Sequence, residues 1–94
     1  MAARSREAII SEILNICMES VCKTGIVTRA NLNFKTVGPY LDLLVRNGLI
    51  DIIQESNTMY KTTPKGAQLR ENFRLIQNGL SIETNLANGI KANQ

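Results

Sequence analysis

The spacing of apolar residues changes partway along this chain, and that change limits the folds open to it. From Ser5 to Gly48, apolar side chains return every three or four positions, the spacing of helices. "LIDIIQE" and "TMYKTT" follow, rich in β-branched and aromatic residues, with Ser56-Asn57 between them. That pattern predicts a β-hairpin. A two-residue loop at Ser56-Asn57 would set Ile53 opposite Tyr60. After Thr63 the helical spacing resumes, so the expected class is α+β, mainly α.

Three helices are expected before the hairpin. Ser5 can cap the first, and Glu7 in its first turn suits the helix dipole. Its stripe is Ile9, Ile13, Ile16 and Cys17, with Ile10 and Leu14 beside it, and it should end near Ser20. Thr24 is placed to cap a second helix over 25–31, with Ile26 and Ala30 facing inward. "NLNF" is the turn that follows, with Leu32 and Phe34 expected to be buried.

The third helix should run to about Asn47, with Val37, Leu41, Leu44 and Val45 inward and Gly48 ending it. Gly38 and Pro39 interrupt it. Inside a helix, glycine costs about 1 kcal/mol and proline about 3 kcal/mol relative to alanine. At roughly 100° per residue, the face opposite the core is Lys35, Pro39, Asp42 and Arg46. A cap at Thr36 keeps Pro39 in the first turn, where a missing N–H loses no partner. A cap at Asn33 would put Pro39 past that turn and call for a distortion. The expectation is the former, with a ragged or 3₁₀ start.

The chain has 94 residues, enough for one domain, and its 4% aromatic content leaves the core to aliphatic side chains. No apolar run approaches the ~20 residues of a bilayer span. The opening MAARSREAII does not read as a signal peptide, so the expected location is cytoplasmic. Cys17 and Cys22 are the only cysteines and there is no histidine, which leaves no zinc ligand set. Cys17 falls on an apolar stripe and reads as a buried thiol; a bridge to Cys22 is geometrically conceivable. Without histidine, a paired nucleophile or a Gly-rich loop, no enzyme, cofactor or small-molecule ligand is expected.

Net charge is +3, but its distribution carries more information. Residues 22–48 hold Lys23, Arg29, Lys35 and Arg46 against Asp42 alone, a net +3. Residues 58–74 hold Lys61, Lys65, Arg70 and Arg74 against Glu71, again +3, and the remainder nets −3. Two cationic blocks in a mildly basic chain suggest one basic face meeting a polyanion.

Three helices and a hairpin are the elements of a winged helix-turn-helix, here with an added C-terminal helix. The stretch "KTGIVTRANLNFKTVGPYLDLLVRNGLIDII", followed by "YKTTPKG", resembles the archaeal winged-helix family of small transcriptional regulators. Within it, the chain is most similar to the ten-kilodalton Sulfolobus chromatin-protein type. The joined "ANLNFK" is the more specific part; "YLxxLxxxGLI" is common to many winged helices. The resemblance implies binding to double-stranded DNA through the third helix and the wing. It also implies a homodimer joined through the last helices as an antiparallel coiled coil.

Thr63 is a good cap for that last helix, and Pro64 suits its first position. Leu69, Phe73, Ile76 and Leu80 then form a heptad seam for dimerisation, or for packing on the chain's own core. Gly79, Asn85, Asn88 and Gly89 interrupt its continuation. Residues 1–62 are thus expected to bind DNA, and residues 63–94 to form a dimerisation helix packed on the same domain.

Candidate contacts follow from the placement of these residues. Lys35 leads the third helix and is assigned to a phosphate or a base edge, with Thr36 and Pro39 beside it. Asn33 and Arg46 stand at the ends of the outward face. Lys23 and Thr24 open the second helix, whose N–H groups suit a phosphate, and Arg29 could hold the backbone across the groove. Asn57 and Lys61 on the wing could enter the minor groove. The expected function is a sequence-reading or architectural DNA-binding protein, a transcriptional regulator. The alternative is a winged-helix module for protein–protein interaction, which Asp42 and the exposed Leu43 would suit.

Overall fold

The computed structural model describes residues 4–77. The order is α1 (Arg6–Ile16), α2 (Lys23–Ala30), α3 (Phe34–Arg46), β1 (Ile50–Gln54), β2 (Thr58–Thr62) and α4 (Pro64–Gln77). Ser5 caps α1, its side chain accepting a hydrogen bond from the Ala8 N–H, as expected. The helix ends earlier than expected, with Cys17 as its C-cap. The second helix starts two residues early: its N-cap is Cys22, without a side-chain bond, and Thr24 lies in its first turn. Thr24 instead accepts the Thr28 hydroxyl at its carbonyl, at 2.9 Å. Asn31 closes α2 in the left-handed region, at φ 56°, which its short polar side chain tolerates.

The core is aliphatic. Ile13, Leu14 and Cys17 from α1, Ile26 from α2, and Val37, Leu41 and Leu44 from α3 are almost wholly buried. Ile50 at the start of β1 closes it. Each such side chain contributes about 1.5–3 kcal/mol by leaving water. Leu32 packs against this cluster, but Phe34 is 52% exposed, contrary to expectation. Phe34 is the first residue of α3, ahead of the first inward position, Val37.

The cap of α3 is Asn33, not Thr36. Its Oδ1 accepts the Thr36 N–H at 2.8 Å, and asparagine is among the strongest N-caps. Pro39 therefore sits past the first turn, inside an α-helix that continues through it. Its exposed position keeps the ring out of the core, and the lost backbone bond falls on the outward face. The far end is a Schellman closure, with Gly48 at φ 73°. Gly48 N–H donates to Val45 at 3.0 Å and Leu49 N–H to Leu44 at 2.9 Å.

The hairpin pairs Ile52 with Tyr60 and Gln54 with Thr58. The loop is therefore three residues, Glu55, Ser56 and Asn57, and the register is one residue from that expected. Glu55 N–H donates to the Asn57 carbonyl at 3.1 Å, which closes the longer loop. Val21 adds a bridge on the other side of β2, exchanging two backbone bonds with Tyr60 at 2.8 and 3.1 Å. Thr62, buried, donates its hydroxyl to the Leu14 carbonyl at 2.7 Å. These bonds fix the wing to the end of α1.

Thr63 caps α4, accepting the Gly66 N–H at 3.0 Å, while its own hydroxyl donates to the Gly48 carbonyl at 2.7 Å. Gly66 permits a close approach: a β-carbon there would lie 2.1 Å from the Leu49 carbonyl oxygen. The helix then lies chiefly along α1 and also touches β2. No described helix is long and apolar enough to cross a membrane.

Candidate nucleic-acid interface

α2 and α3 meet across the turn at Asn31–Asn33, and their polar edges form one surface. Lys23, the first residue of α2, extends over α3. Its ammonium lies 3.5 Å from the point a β-carbon on Gly38 would occupy. Lys23 is half-buried, and among the described residues its ammonium has no hydrogen-bond or ion-pair partner. Gly38 thus leaves the space in which a cation from α2 reaches the leading end of α3. The stem of Lys23 lies along the protein while its ammonium carries no partner among the described residues, which leaves the charge available to an external anion.

Lys35 and Pro39 are exposed on the outward face of α3, and Arg46 is exposed in its last turn. Thr36 is half-buried, its backbone N–H taken by the Asn33 cap. Asn33 is thereby partly committed to structure: its side-chain oxygen is used, while its amide N–H₂ has no partner among the described residues. Arg29 is exposed near the end of α2. Asn57 stands exposed in the hairpin loop. Lys61 is exposed on β2, yet its ammonium donates to the Met18 carbonyl at 2.7 Å, which ties the wing to the α1–α2 connection.

Two grooves flank α3. One, of about 390 Å³, is lined by Asp42, Val45, Arg46, Ile52 and Tyr60, between α3 and the hairpin. Asp42 and Arg46 share it without forming an ion pair, although their i,i+4 spacing would allow one. Ile52 is 46% exposed there. The other groove, of about 380 Å³, lies on the α1 side and is lined by Arg6, Pro39, Tyr40, Leu43 and Arg46. No local pattern signals Arg6, because only the packing of α1 brings it beside α3.

Lys65 lies in the first turn of α4. Its ammonium donates to the Asn47 carbonyl at 2.9 Å, so it serves the end of α3. The α4 seam divides: Leu69 packs against the core, Phe73 is half-buried, and Ile76 is 47% exposed. Leu80 lies outside the described residues. Among the described residues, no group of acidic, cysteine or histidine side chains could hold a metal ion.

The profile of the winged helix-turn-helix family matches residues 3–81. Among solved structures, the chain is similar to the crystal structure of Sso10a-2, a DNA-binding protein from Sulfolobus solfataricus. Identity is 27% over 97% of this chain and 100% of that one, with a TM-score of 0.71. No curated protein sequence matches.

Proposed function

The chain belongs to the winged helix-turn-helix family, and on that footing we propose that it binds duplex DNA, as a homodimeric regulator or architectural protein in the cytoplasm. Similarity to Sso10a-2, a DNA-binding protein, supports this reading. The observation that carries it is the Lys23 ammonium over Gly38. It joins the start of α2 to the leading end of α3, where Lys35 is free to meet a phosphate or a base edge. Recognition helices read bases with their N-terminal residues. Thr36, Pro39 and the amide of Asn33 stand at the same end.

The remaining contacts are phosphate contacts. Lys23 and Thr24 approach from α2, Arg29 from its far end, Arg46 from the end of α3, and Asn57 from the wing. Lys61 contributes charge from where its bond to Met18 holds it. With few base-reading side chains, most affinity comes from the backbone of the duplex. If about four phosphates are neutralised per protomer, log K falls with log salt at a slope near −4. In this reading residues 1–62 bind DNA, and the last helix joins two copies through its heptad seam, of which half-buried Phe73 and exposed Ile76 lie among the described residues.

A mobility-shift titration at several salt concentrations, with specific and random duplexes, tests the proposal. The double charge reversal Arg29→Glu/Lys35→Glu should abolish retention of DNA while leaving the oligomeric state intact. Affinity independent of salt would end the reading. The second reading, a protein-interaction module, draws on one observation: the groove beside the hairpin combines exposed Ile52 with Asp42, a pairing that suits an apolar, partly basic peptide better than a phosphate. Unchanged DNA binding in the double variant would favour it.

A further inference from the structure

We propose that Arg6 and Arg46 grip the sugar-phosphate backbone of the bound duplex from the α1 side of α3. The inference rests on the DNA-binding reading above and adds to it a site formed by two helices distant in sequence. The groove of about 380 Å³ is lined by Arg6, Arg46, Pro39, Tyr40 and Leu43, with no acidic residue in its wall. Neither arginine has an ion-pair or hydrogen-bond partner among the described residues.

Arg6 is not placed to stabilise its helix, whereas Arg46 lies in the last turn of α3, where the dipole favours a cation. Arg6 is the first residue of α1, where the helix dipole disfavours a cation. Nearby Arg4, by contrast, is held by Glu12 at 3.1 Å and by the Asn31 carbonyl at 3.2 Å. Arg46 could have paired with Asp42 and does not. Two unpaired arginines on one groove give it positive charge without a neutralising partner, and an anion seated there would be attracted by both. The planar fork of arginine matches a phosphate with two parallel hydrogen bonds. The apolar floor of Pro39, Tyr40 and Leu43 suits the face of a deoxyribose.

The location selects the occupant. Pro39 and Arg46 belong to the outward face of α3 as well as to this groove, so a duplex against that face brings one strand to the groove. An acidic peptide could satisfy the same charges, and the experiment separates the two.

The full-length protein is titrated with duplex at several salt concentrations as wild type, Arg6→Gln, Arg46→Gln, Arg6→Lys and, for reference, Lys35→Gln. Arg6→Gln and Arg46→Gln should each lower the magnitude of the salt slope by about 0.9 and weaken binding about tenfold near 0.1 M salt. Arg6→Lys should retain the slope and lose only part of the affinity. Melting temperatures should move little, slightly up for Arg6→Gln at the start of α1 and slightly down for Arg46→Gln in the last turn of α3, since neither side chain has an ion-pair or hydrogen-bond partner to lose. If Lys35→Gln weakens binding but Arg6→Gln leaves slope and affinity intact, the groove lies off the DNA and this inference falls while the DNA reading stands. If no variant, Lys35→Gln included, changes binding, both fall.

Discussion

The Lys23 ammonium rests over Gly38, 3.5 Å from where a β-carbon would stand. That separation is ordinary van der Waals contact, so alanine fits beneath the cation and a longer side chain does not. Gly38→Ala should therefore raise stability by about 1 kcal/mol, the helix-propensity difference, with DNA affinity little changed. Gly38→Leu should displace the ammonium and weaken binding. Urea unfolding and duplex titration of both variants check this, and equal affinity of Gly38→Leu and wild type would remove Lys23 from the interface.

Asn33 fixes where α3 begins, through its 2.8 Å bond from the Thr36 N–H. Asn33→Ala should cost about 1 kcal/mol. Asn33→Asp keeps the cap and adds a charge that the helix dipole favours, yet it sets a carboxylate beside the phosphates. Its stability should match or exceed wild type while its DNA affinity falls. Parallel changes in stability and affinity would mean that Asn33 acts only as a cap.

Gly66 touches the chain just beyond α3. A β-carbon would meet the Leu49 carbonyl at 2.1 Å and the Thr62 methyl at 2.8 Å. The backbone oxygen cannot swing away as a side chain could. Gly66→Ala should cost about 3 kcal/mol, the upper end of the usual range for overpacking, read as a lowered urea midpoint.

Thr62 donates to the Leu14 carbonyl at 2.7 Å inside the core. Thr62→Val keeps the shape but orphans a buried acceptor, at a cost of about 1–3 kcal/mol. Thr62→Ser keeps the bond and loses one methyl, at about 1 kcal/mol. Chemical denaturation of the pair separates bonding from packing.

The Cys17 thiol is pushed by burial from an ordinary 9.0 up to about 12, with the charge of Arg29 acting in the opposite sense. The folded protein therefore holds the Cys17 proton where the unfolded chain releases it. The resulting stability is complete below pH 9 and is lost as pH rises toward 12. In the native protein at pH 8, iodoacetamide should label half-buried Cys22 well before Cys17. In urea both should react alike.

Much of the fold could be read in the residues because local signals agreed with global packing. Ser5, Thr63 with Pro64, and Gly48 each carry a cap or stop signal that tertiary contacts did not override. Where two signals competed, the local reading failed. Asn33 out-competed Thr36 as the cap, and the helix runs on through Pro39, whose exposed ring stays clear of the core. The hairpin register moved by one because the loop closed through Glu55 and Asn57, and alternation alone does not fix loop length. The strand-like pairing of Val21 with Tyr60 had no local pattern, since one residue has no period. In the candidate site, Lys23 and Lys35 were legible as charges at helix starts. Arg6 and the space above Gly38 were not, because both arise only when separate helices meet.

The bonds from Thr63 to Gly48 and from Lys65 to Asn47 fasten the start of α4 to the end of α3. The hairpin lies between the two helices in the chain, yet these bonds and the close approach of Gly66 to Leu49 hold their facing ends together. Whatever grips the far end of α4 therefore inherits a set distance and heading from the leading edge of α3, like the fixed arms of a calliper. In a pair of such chains, the span between the two gripped stretches of duplex would be dictated by the protein's rigidity rather than adjusted to each site.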